Sequence, residues 1–91
     1  MPNPRKFEID LSSSGYHMEV DTRKSDCNRE RTPHWHLCGR YSRLGSINVY
    51  GQWIKNPDVD RRIREEAEEL TRRYASTIVE VYDHNRSYGS D

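Results

Sequence analysis

The stretch that decides the fold of this chain is Thr32-Pro33-His34-Trp35-His36-Leu37-Cys38. In an extended strand, successive side chains point to opposite faces of the sheet. The bulky apolar side chains at 35 and 37 therefore share one face, and the two imidazoles and the thiol share the other. This division predicts a sheet that packs against a core on one side and is open to solvent or a partner on the other.

Three further segments alternate between apolar and polar residues in the same way. They lie at residues 6–11, 16–20 and 46–53, and the Ser-Ser-Ser-Gly turn at 12–15 joins the first two into a hairpin. Together with the strand at 34–38, they predict a four-stranded antiparallel sheet. Its apolar face is expected to carry Phe7, Ile9, Leu11, Tyr16, Met18, Val20, Trp35, Leu37, Ile47, Val49 and Trp53.

The sequence period changes after Trp53, where apolar or small residues recur every three or four positions. This spacing draws one stripe along a helix, and Asn56-Pro57-Asp58 supplies an N-cap, a proline at the first helical position and an acid in the first turn. We therefore predict an α+β fold with one long C-terminal helix, about residues 57–84, packed on one face of the sheet. Residues 77–82 also have strong β-propensity, so a fifth strand is the alternative there. The stripe consists of Val59, Ile63, Ala67, Leu70, Tyr74, Ile78, Val81 and Asn85.

The composition indicates one small domain with a thin core. The chain has 91 residues, of which 32% are hydrophobic and 33% charged, and this length predicts a single domain over residues 1–91. Its fifteen basic and fifteen acidic residues cancel, unlike the strongly basic balance of a dedicated nucleic-acid binder. The sequence shows no secretory signal and no apolar run long enough for a membrane span. The two cysteines have no disulfide or metal spacing, so we expect a cytoplasmic protein with reduced thiols.

The polar face of the predicted sheet contains the residues that suggest chemistry. His34 and His36 are expected about 7 Å apart along one strand face, and a metal ion can bind two such imidazoles. If a metal binds, His17 on the hairpin is the expected third ligand, with Glu19 beside it and Cys38 extending the row. A closed zinc site normally shows a second clearly spaced ligand pair, which this sequence lacks. We therefore expect no metal, no other cofactor and no catalytic residues.

Arginines and aromatic residues are concentrated in the loops on either side of this strand. One of these loops, residues 21–33, is polar and lacks periodicity, which predicts exposure. Aromatic residues and arginines are the usual anchors of protein interfaces, and we predict a non-catalytic module that binds a protein partner through the open sheet face and the basic loops. The alternatives are a nucleic-acid-binding regulator that uses the arginines and a histidine-based metal-binding protein or enzyme. The expected binding residues are His34, His36, Arg40, Tyr41, Arg43 and Tyr50.

The motif Pro33-His34-Trp35-His36-Leu37 is followed by a strand with Ile47 and Val49 and by a charged helix with Ile63, Leu70, Ile78 and Tyr82. Over residues 32–85, this arrangement resembles an uncharacterised family of small bacterial proteins. The family has a second proline where this chain has Thr32, and its first half differs in length. The resemblance implies an intracellular protein of bacteria, phages or other mobile elements, in the style of toxin–antitoxin partners and phage inhibitors that act by binding another protein.

The length of the predicted helix suggests self-association. Seven turns extend about 45 Å, whereas a six-residue strand spans about 20 Å. A straight helix then overhangs the sheet and leaves Tyr74, Ile78, Val81 and Tyr82 without cover within the chain. Exposed apolar area of this kind usually marks an interface, so we expect a homodimer through the C-terminal helix. A bend in the helix, or a fifth strand at 77–82, removes the overhang.

Overall fold

The computed structural model describes residues 3–91, which form a five-stranded antiparallel sheet and three helices. The strands are β1 (Glu8–Asp10), β2 (His17–Glu19), β3 (His34–Cys38), β4 (Arg43–Asn48) and β5 (Trp53–Lys55), and each pairs with its neighbour in sequence. The helices are α1 (Lys24–Arg29), between β2 and β3, and α2 (Arg61–Arg73) and α3 (Ala75–Tyr88), after the sheet. The predicted α+β class, with an antiparallel sheet and helix at the C-terminus, is confirmed. No helix within residues 3–91 has the length and apolarity to cross a bilayer.

The core lies between one face of the sheet and the two C-terminal helices. Trp35 on the central strand is fully buried, and its indole Nε1 donates a hydrogen bond to Thr71 Oγ1 of α2 at 2.9 Å. The ring of Phe7 lies parallel to it at a centroid distance of 5.9 Å. The predicted apolar face of the sheet and the predicted helix stripe meet here. The buried apolar residues of this core are Leu11, Met18, Val20, Cys27, Trp35, Leu37, Ile47, Ile63, Ala67, Leu70, Ile78, Val81 and Tyr82.

The prediction of one strand at 46–53 is wrong, because a tight turn divides this segment between β4 and β5. The carboxamide oxygen of Asn48 accepts hydrogen bonds from the backbone N–H groups of Tyr50 at 2.9 Å and Gln52 at 3.1 Å. Gly51 has a φ of 82°, which glycine adopts without steric cost. A side chain that bonds to the backbone two residues ahead favours a turn, and here this local chemistry overrides the apolar alternation.

The prediction of one long helix is also wrong, because the helix is interrupted between α2 and α3. Tyr74 separates them with φ −109° and ψ 17°. The helical segment also begins later than predicted, since Asp60, rather than Asn56, accepts the capping hydrogen bond from the Ile63 N–H at 3.2 Å. Residues 77–82 are helical within α3, so the strand alternative does not apply.

The break removes the overhang on which the expected homodimer depended. Ile78, Val81 and Tyr82 are each at most 2% exposed within a single chain, because α3 packs against α1 and β3. Tyr74 is half-buried and contacts the ring of Phe7 edge-on at 5.7 Å. The predicted absence of intramolecular cover at these four residues is therefore wrong.

The sequence predicted that the polar face of the sheet is open to solvent or a partner. In the structure, this face is covered where it carries His34 and His36. His34, His36 and Cys38 are all buried, and Asp26 of α1 contacts both imidazoles. The segment 21–33, predicted to be an exposed loop, contains this six-residue helix. A helix of this length is marginal on its own, so its formation depends on tertiary contacts that a local sequence pattern does not reveal.

Candidate functional site

Asp26 joins the two histidines of β3 into one cluster. Its Oδ2 atom lies 3.3 Å from His34 Nε2 and 3.1 Å from His36 Nε2. The two imidazole rings are nearly perpendicular, with centroids 5.2 Å apart. One ligand-capable atom from each residue lies within 4.8 Å of the other two. We call Asp26, His34 and His36 the Asp26 cluster.

The position of Asp26 is set by contacts between α1 and α3. The Tyr82 hydroxyl shares its proton between the carbonyl oxygens of Cys27, at 2.7 Å, and Glu30, at 2.6 Å. The Asn28 side-chain amide donates to the carbonyl of Arg86 at 3.1 Å. These contacts tie the short helix to the longer one, so the carboxylate of the cluster is held by the C-terminal helix.

The residues after α3 hold the first turn of α1. The Lys24 N–H donates to the Ser90 carbonyl at 2.8 Å, and the Ser90 N–H donates to the Thr22 carbonyl at 2.9 Å. This approach requires the glycine at 89, since a Cβ there would lie 2.6 Å from Lys24 N and 2.7 Å from Thr22 O. The chain end therefore contributes to the position of the cluster.

Both ring nitrogens of His34 face oxygen atoms. Nδ1 lies 2.8 Å from the Thr32 carbonyl oxygen, which can only accept, so Nδ1 carries a proton. Nε2 faces Asp26, and the ring is packed edge-on against Tyr82 at 5.6 Å. Burial by itself lowers the pKa of the imidazole, but the bonds to Asp26 and Thr32 outweigh burial and raise that pKa above its usual value. The ring is thereby fixed with Nε2 directed at the Asp26 carboxylate.

A buried carboxylate, Asp21, completes a network of charges beside the cluster. Arg43 bonds to Asp21 Oδ2 and lies 3.7 Å from Asp26 Oδ1, and Arg23 bonds to Asp21 Oδ2 at 2.9 Å. Burial alone raises the pKa of both carboxyl groups. At Asp21 the arginines outweigh burial, and at Asp26 the two histidines do, so both pKa values lie below their usual range. Both side chains are therefore carboxylates at neutral pH, with cationic partners within 4 Å.

His17 does not join the cluster and instead belongs to a second one. Its Nε2 lies 2.7 Å from Glu19 Oε1, and the Cys38 thiol lies 3.5 Å from the same oxygen. These three residues also place ligand-capable atoms within 4.8 Å of one another. The sequence grouped His17 with His34 and His36 as the set that a metal would use; the structure divides that set and supplies Asp26 in its place.

The remaining predicted binding residues are distributed over three places. The side chain of Arg43 points inward and pairs with the carboxylates of Asp21 and Asp26, as described above. Arg40 and Tyr41 lie in the turn between β3 and β4, where Tyr41 is 91% exposed. Tyr50, 77% exposed, lies in the turn between β4 and β5. These two turns join opposite ends of β4, so Tyr50 lies at the far end of the sheet from Arg40 and Tyr41.

The turns β1–β2 and β3–β4 lie side by side and form a shallow groove made of two adjoining depressions, of about 350 and 320 Å³. Serine and glycine supply five of its lining residues, with Arg40 and Tyr41 on one side and Tyr16 on the other, and Asp10, Leu11, His17 and Leu44 complete the lining. We call this surface the hairpin-tip groove. Its lining residues include Ser13, Ser14, Gly15, Tyr16, Gly39, Arg40, Tyr41 and Ser42.

Sequence reasoning missed Asp21 and Asp26, which lie in the segment that was predicted to be an exposed loop. One signal for its burial exists. Cys27 is the only apolar residue between Val20 and Trp35 apart from Pro33, and its side chain is 1% exposed. A lone buried cysteine in a polar segment indicates that the segment packs on the protein, but it does not show which carboxylate faces the histidines.

Both cysteine thiols are expected to be unreactive in the folded protein. Burial raises the pKa of Cys27 to about 11 and that of Cys38 to about 12, and the thiolate is the reactive form. A disulfide reagent at neutral pH should therefore modify neither thiol until denaturant is added, after which both should react. If either thiol in the folded chain reacts at the rate of an exposed cysteine, that thiol is accessible to solvent and the burial described here is wrong.

Comparison of the chain with protein-family models, curated proteins and solved structures gives no match. The resemblance over residues 32–85 therefore stays a prediction.

Proposed function

We propose that this chain is a small non-catalytic module that binds a protein partner through the hairpin-tip groove. The observation that carries the proposal is Tyr41, a large aromatic side chain that is 91% exposed at the rim of a groove between two hairpins. A side chain of this kind provides contact area at a low entropic cost when a partner covers it. The sequence placed the interface on the sheet face, but α1 covers that face at the histidines. The proposed interface therefore lies at the tips of the hairpins instead.

The chemistry of the groove fits a protein partner. Tyrosine, serine and glycine dominate the binding loops of antibodies, and arginine and tyrosine are enriched among the residues that dominate interface energetics. The two turns combine these residue types at 12–16 and 39–42. The volume is at the lower end of the range for small-molecule pockets, and the groove is open. These features favour a protruding loop of another protein over an enclosed metabolite.

Arg40 indicates the charge of that partner. Its side chain is exposed, and it makes no ion pair with any residue between 3 and 91. An acidic side chain on the partner, placed beside Tyr41, would pair with it. We therefore propose a partner loop that combines an acidic residue with an apolar one.

The arginines give less support to the nucleic-acid alternative than the sequence suggested. Arg43 and Arg23 both pair with Asp21, which compensates part of their positive charge within the protein. Contacts with phosphates depend on uncompensated positive charge, and the whole chain has none in excess. The bacterial or mobile-element context implied by the family resemblance, including an inhibitor or toxin–antitoxin role, is compatible with a protein-binding groove.

The non-catalytic part of the proposal rests on the state of the nucleophiles. Both thiols are buried with raised pKa values, which keeps them protonated at neutral pH. Each imidazole on the sheet face is engaged by a carboxylate and is enclosed or half-buried beneath its neighbours. Neither arrangement presents an activated nucleophile to a substrate.

Site-specific photocrosslinking tests the proposed surface. A photoreactive phenylalanine derivative is placed at Tyr41 and, in a matched control, at Tyr50, which is similarly exposed at the far end of the sheet. We expect one protein to crosslink in the source cells from position 41 and not from position 50. With that protein purified, Tyr41→Ala and Arg40→Glu should each weaken binding at least about tenfold, whereas Tyr50→Ala should not.

Three outcomes contradict the proposal. They are the absence of a specific crosslink from position 41, equal crosslinking from both positions, and binding that is insensitive to Tyr41→Ala. A crosslink to nucleic acid from position 41, with an affinity that falls steeply with salt, would favour the regulator alternative.

A further inference from the structure

We propose that the Asp26 cluster binds one divalent first-row transition-metal ion, such as Zn²⁺, and that this ion fastens α1 to the sheet. The proposal is independent of the hairpin-tip groove. It concerns a different surface and gives the histidines a structural role that protein binding does not use. It also reverses the expectation of no metal, which rested on the lack of a second clearly spaced ligand pair, and it replaces His17 by Asp26 as the third ligand.

The distances within the cluster are those of a metal-binding site. Zinc binds histidine nitrogen and carboxylate oxygen at about 2.0–2.2 Å, so two such ligands are about 3.0 Å apart at a right angle and about 3.4 Å apart at a tetrahedral angle. The Asp26 oxygen lies 3.1 Å from His36 Nε2 and 3.3 Å from His34 Nε2. Small side-chain movements would therefore suffice to place an ion between these atoms.

The surroundings orient the ligand atoms before any ion binds. The bond from His34 Nδ1 to the Thr32 carbonyl fixes the tautomer that leaves Nε2 as the ligand nitrogen. Metal-binding histidines almost always donate their second N–H to such an acceptor, and ligating carboxylates are themselves held by neighbours. Here Arg43 lies against Asp26 Oδ1, while the other oxygen, Oδ2, faces the two imidazoles.

Two imidazoles and one carboxylate select a class of ion. Imidazole suits zinc, iron, nickel and copper, whereas calcium and magnesium prefer oxygen ligands throughout. Three protein ligands leave further coordination positions for water. His36 and Asp26 retain 10% and 14% of their side-chain exposure, whereas His34 retains 4%, so solvent would enter from the side of the first two.

The neighbouring cluster of His17, Glu19 and Cys38 is less well prepared. The side chains of His17 and Glu19 are 28% and 32% exposed, and within residues 3–91 no second bond orients the His17 ring. All three of its residues also belong to adjacent strands, β2 and β3, that are already joined by backbone hydrogen bonds. In the Asp26 cluster, by contrast, an ion would link separate elements, because Asp26 lies on α1 and the histidines lie on β3.

Zinc titration of the full chain, prepared without a histidine tag, tests the proposal. We expect one Zn²⁺ per chain by isothermal calorimetry and elemental analysis, a higher melting temperature with zinc, and reversal of that shift by a chelator. Asp26→Asn and His36→Gln should each weaken zinc binding by more than about tenfold. The second substitution leaves the Arg43–Asp26 contact in place, so the test does not depend on the folding of one variant.

Matched controls separate the two clusters. His84→Gln alters a histidine outside both of them, bonded to the Asn3 carbonyl, and should leave zinc affinity unchanged. His17→Gln should also leave it unchanged. Cobalt substitution gives a readout that needs no variant, because cobalt at the Asp26 cluster should lack the near-ultraviolet charge-transfer band of a cobalt–thiolate bond.

Three results overturn the proposal. The first is the absence of stoichiometric zinc binding by the folded chain. The second is binding that survives both Asp26→Asn and His36→Gln, and the third is a thiolate band that disappears in Cys38→Ser, which would place the ion at the neighbouring cluster.

Discussion

Replacement of Trp35 by alanine should lower the free energy of unfolding by about 3–5 kcal/mol. The indole is fully buried, stacks with Phe7 and donates to Thr71 of α2, so its removal leaves a cavity between the sheet and the helices. Small domains are stable by only about 5–15 kcal/mol, and this one has a thin core. Urea unfolding monitored by circular dichroism measures the loss, and much of the variant should be unfolded at physiological temperature.

The other tryptophan is the matched control for this prediction. Trp53 is half-buried, donates to Glu68 at 2.7 Å and lies beneath the guanidinium of Arg64. Trp53→Ala removes a similar volume from a partly solvated site and should cost about 1 kcal/mol. Equal losses for the two variants would show that Trp35 is not the centre of the core.

Asn85→Asp should lower the free energy of unfolding by at least about 3 kcal/mol at neutral pH. Asn85 is fully buried; its amide donates to the carbonyl oxygens of Arg5, at 2.9 Å, and Asp21, at 3.0 Å, while its oxygen accepts from the Arg5 N–H at 2.8 Å. An aspartate has the same shape but loses both donors and places a negative charge against two carbonyl oxygens. The cost should fall as the pH is lowered, because protonation of the new carboxyl removes that charge.

Asn28 provides the control, since its amide also donates to two carbonyl oxygens, those of Lys24 and Arg86, but at an exposed position. Asn28→Asp should change the stability by only about 0.5 kcal/mol. If both substitutions are tolerated equally, the N-terminal segment is not fastened to α3 through Asn85 in the way described.

The parts of the fold that were predictable are those governed by long, regular patterns. The strand at 34–38 was predicted with its observed limits, because its alternation is strict and its two faces differ strongly. The apolar stripe from Ile63 to Asn85 was also predicted, since burial on one face fixes a period of three to four residues, whereas Val59, assigned to the same stripe, precedes α2. Both patterns arise from contact with the same core. In each, the apolar or polar character of a residue indicates whether its own position is buried.

The parts that were not predictable depend on contacts between distant residues or on local turn chemistry. The stripe continues in register through Tyr74, so it does not show that α2 and α3 are separate helices. Asn48 and Gly51 end β4 although the apolar alternation continues. The helix α1 is stabilised by Tyr82, about fifty positions later in the sequence, and no pattern within residues 21–33 predicts it.

The candidate site illustrates the same limit. The alternation of β3 correctly placed His34 and His36 on one face, but their environment is determined by Asp26, which α1 positions above them. A carboxylate that approaches from another element has no fixed spacing from the histidines, and the sequence therefore could not distinguish an open histidine row from an enclosed cluster. The same contact shifts the proposed protein interface away from the sheet face and towards Arg40 and Tyr41.

We propose that α1 closes the sheet face and places Asp26 against both histidines in a metal-binding arrangement. Anomalous diffraction at the zinc edge, from crystals grown with zinc chloride, tests this arrangement most directly. We expect one strong peak about 2 Å from a nitrogen of His34, a nitrogen of His36 and an oxygen of Asp26. A peak at His17 and Cys38 instead, or an Asp26 side chain remote from both imidazoles with no peak between them, would contradict it.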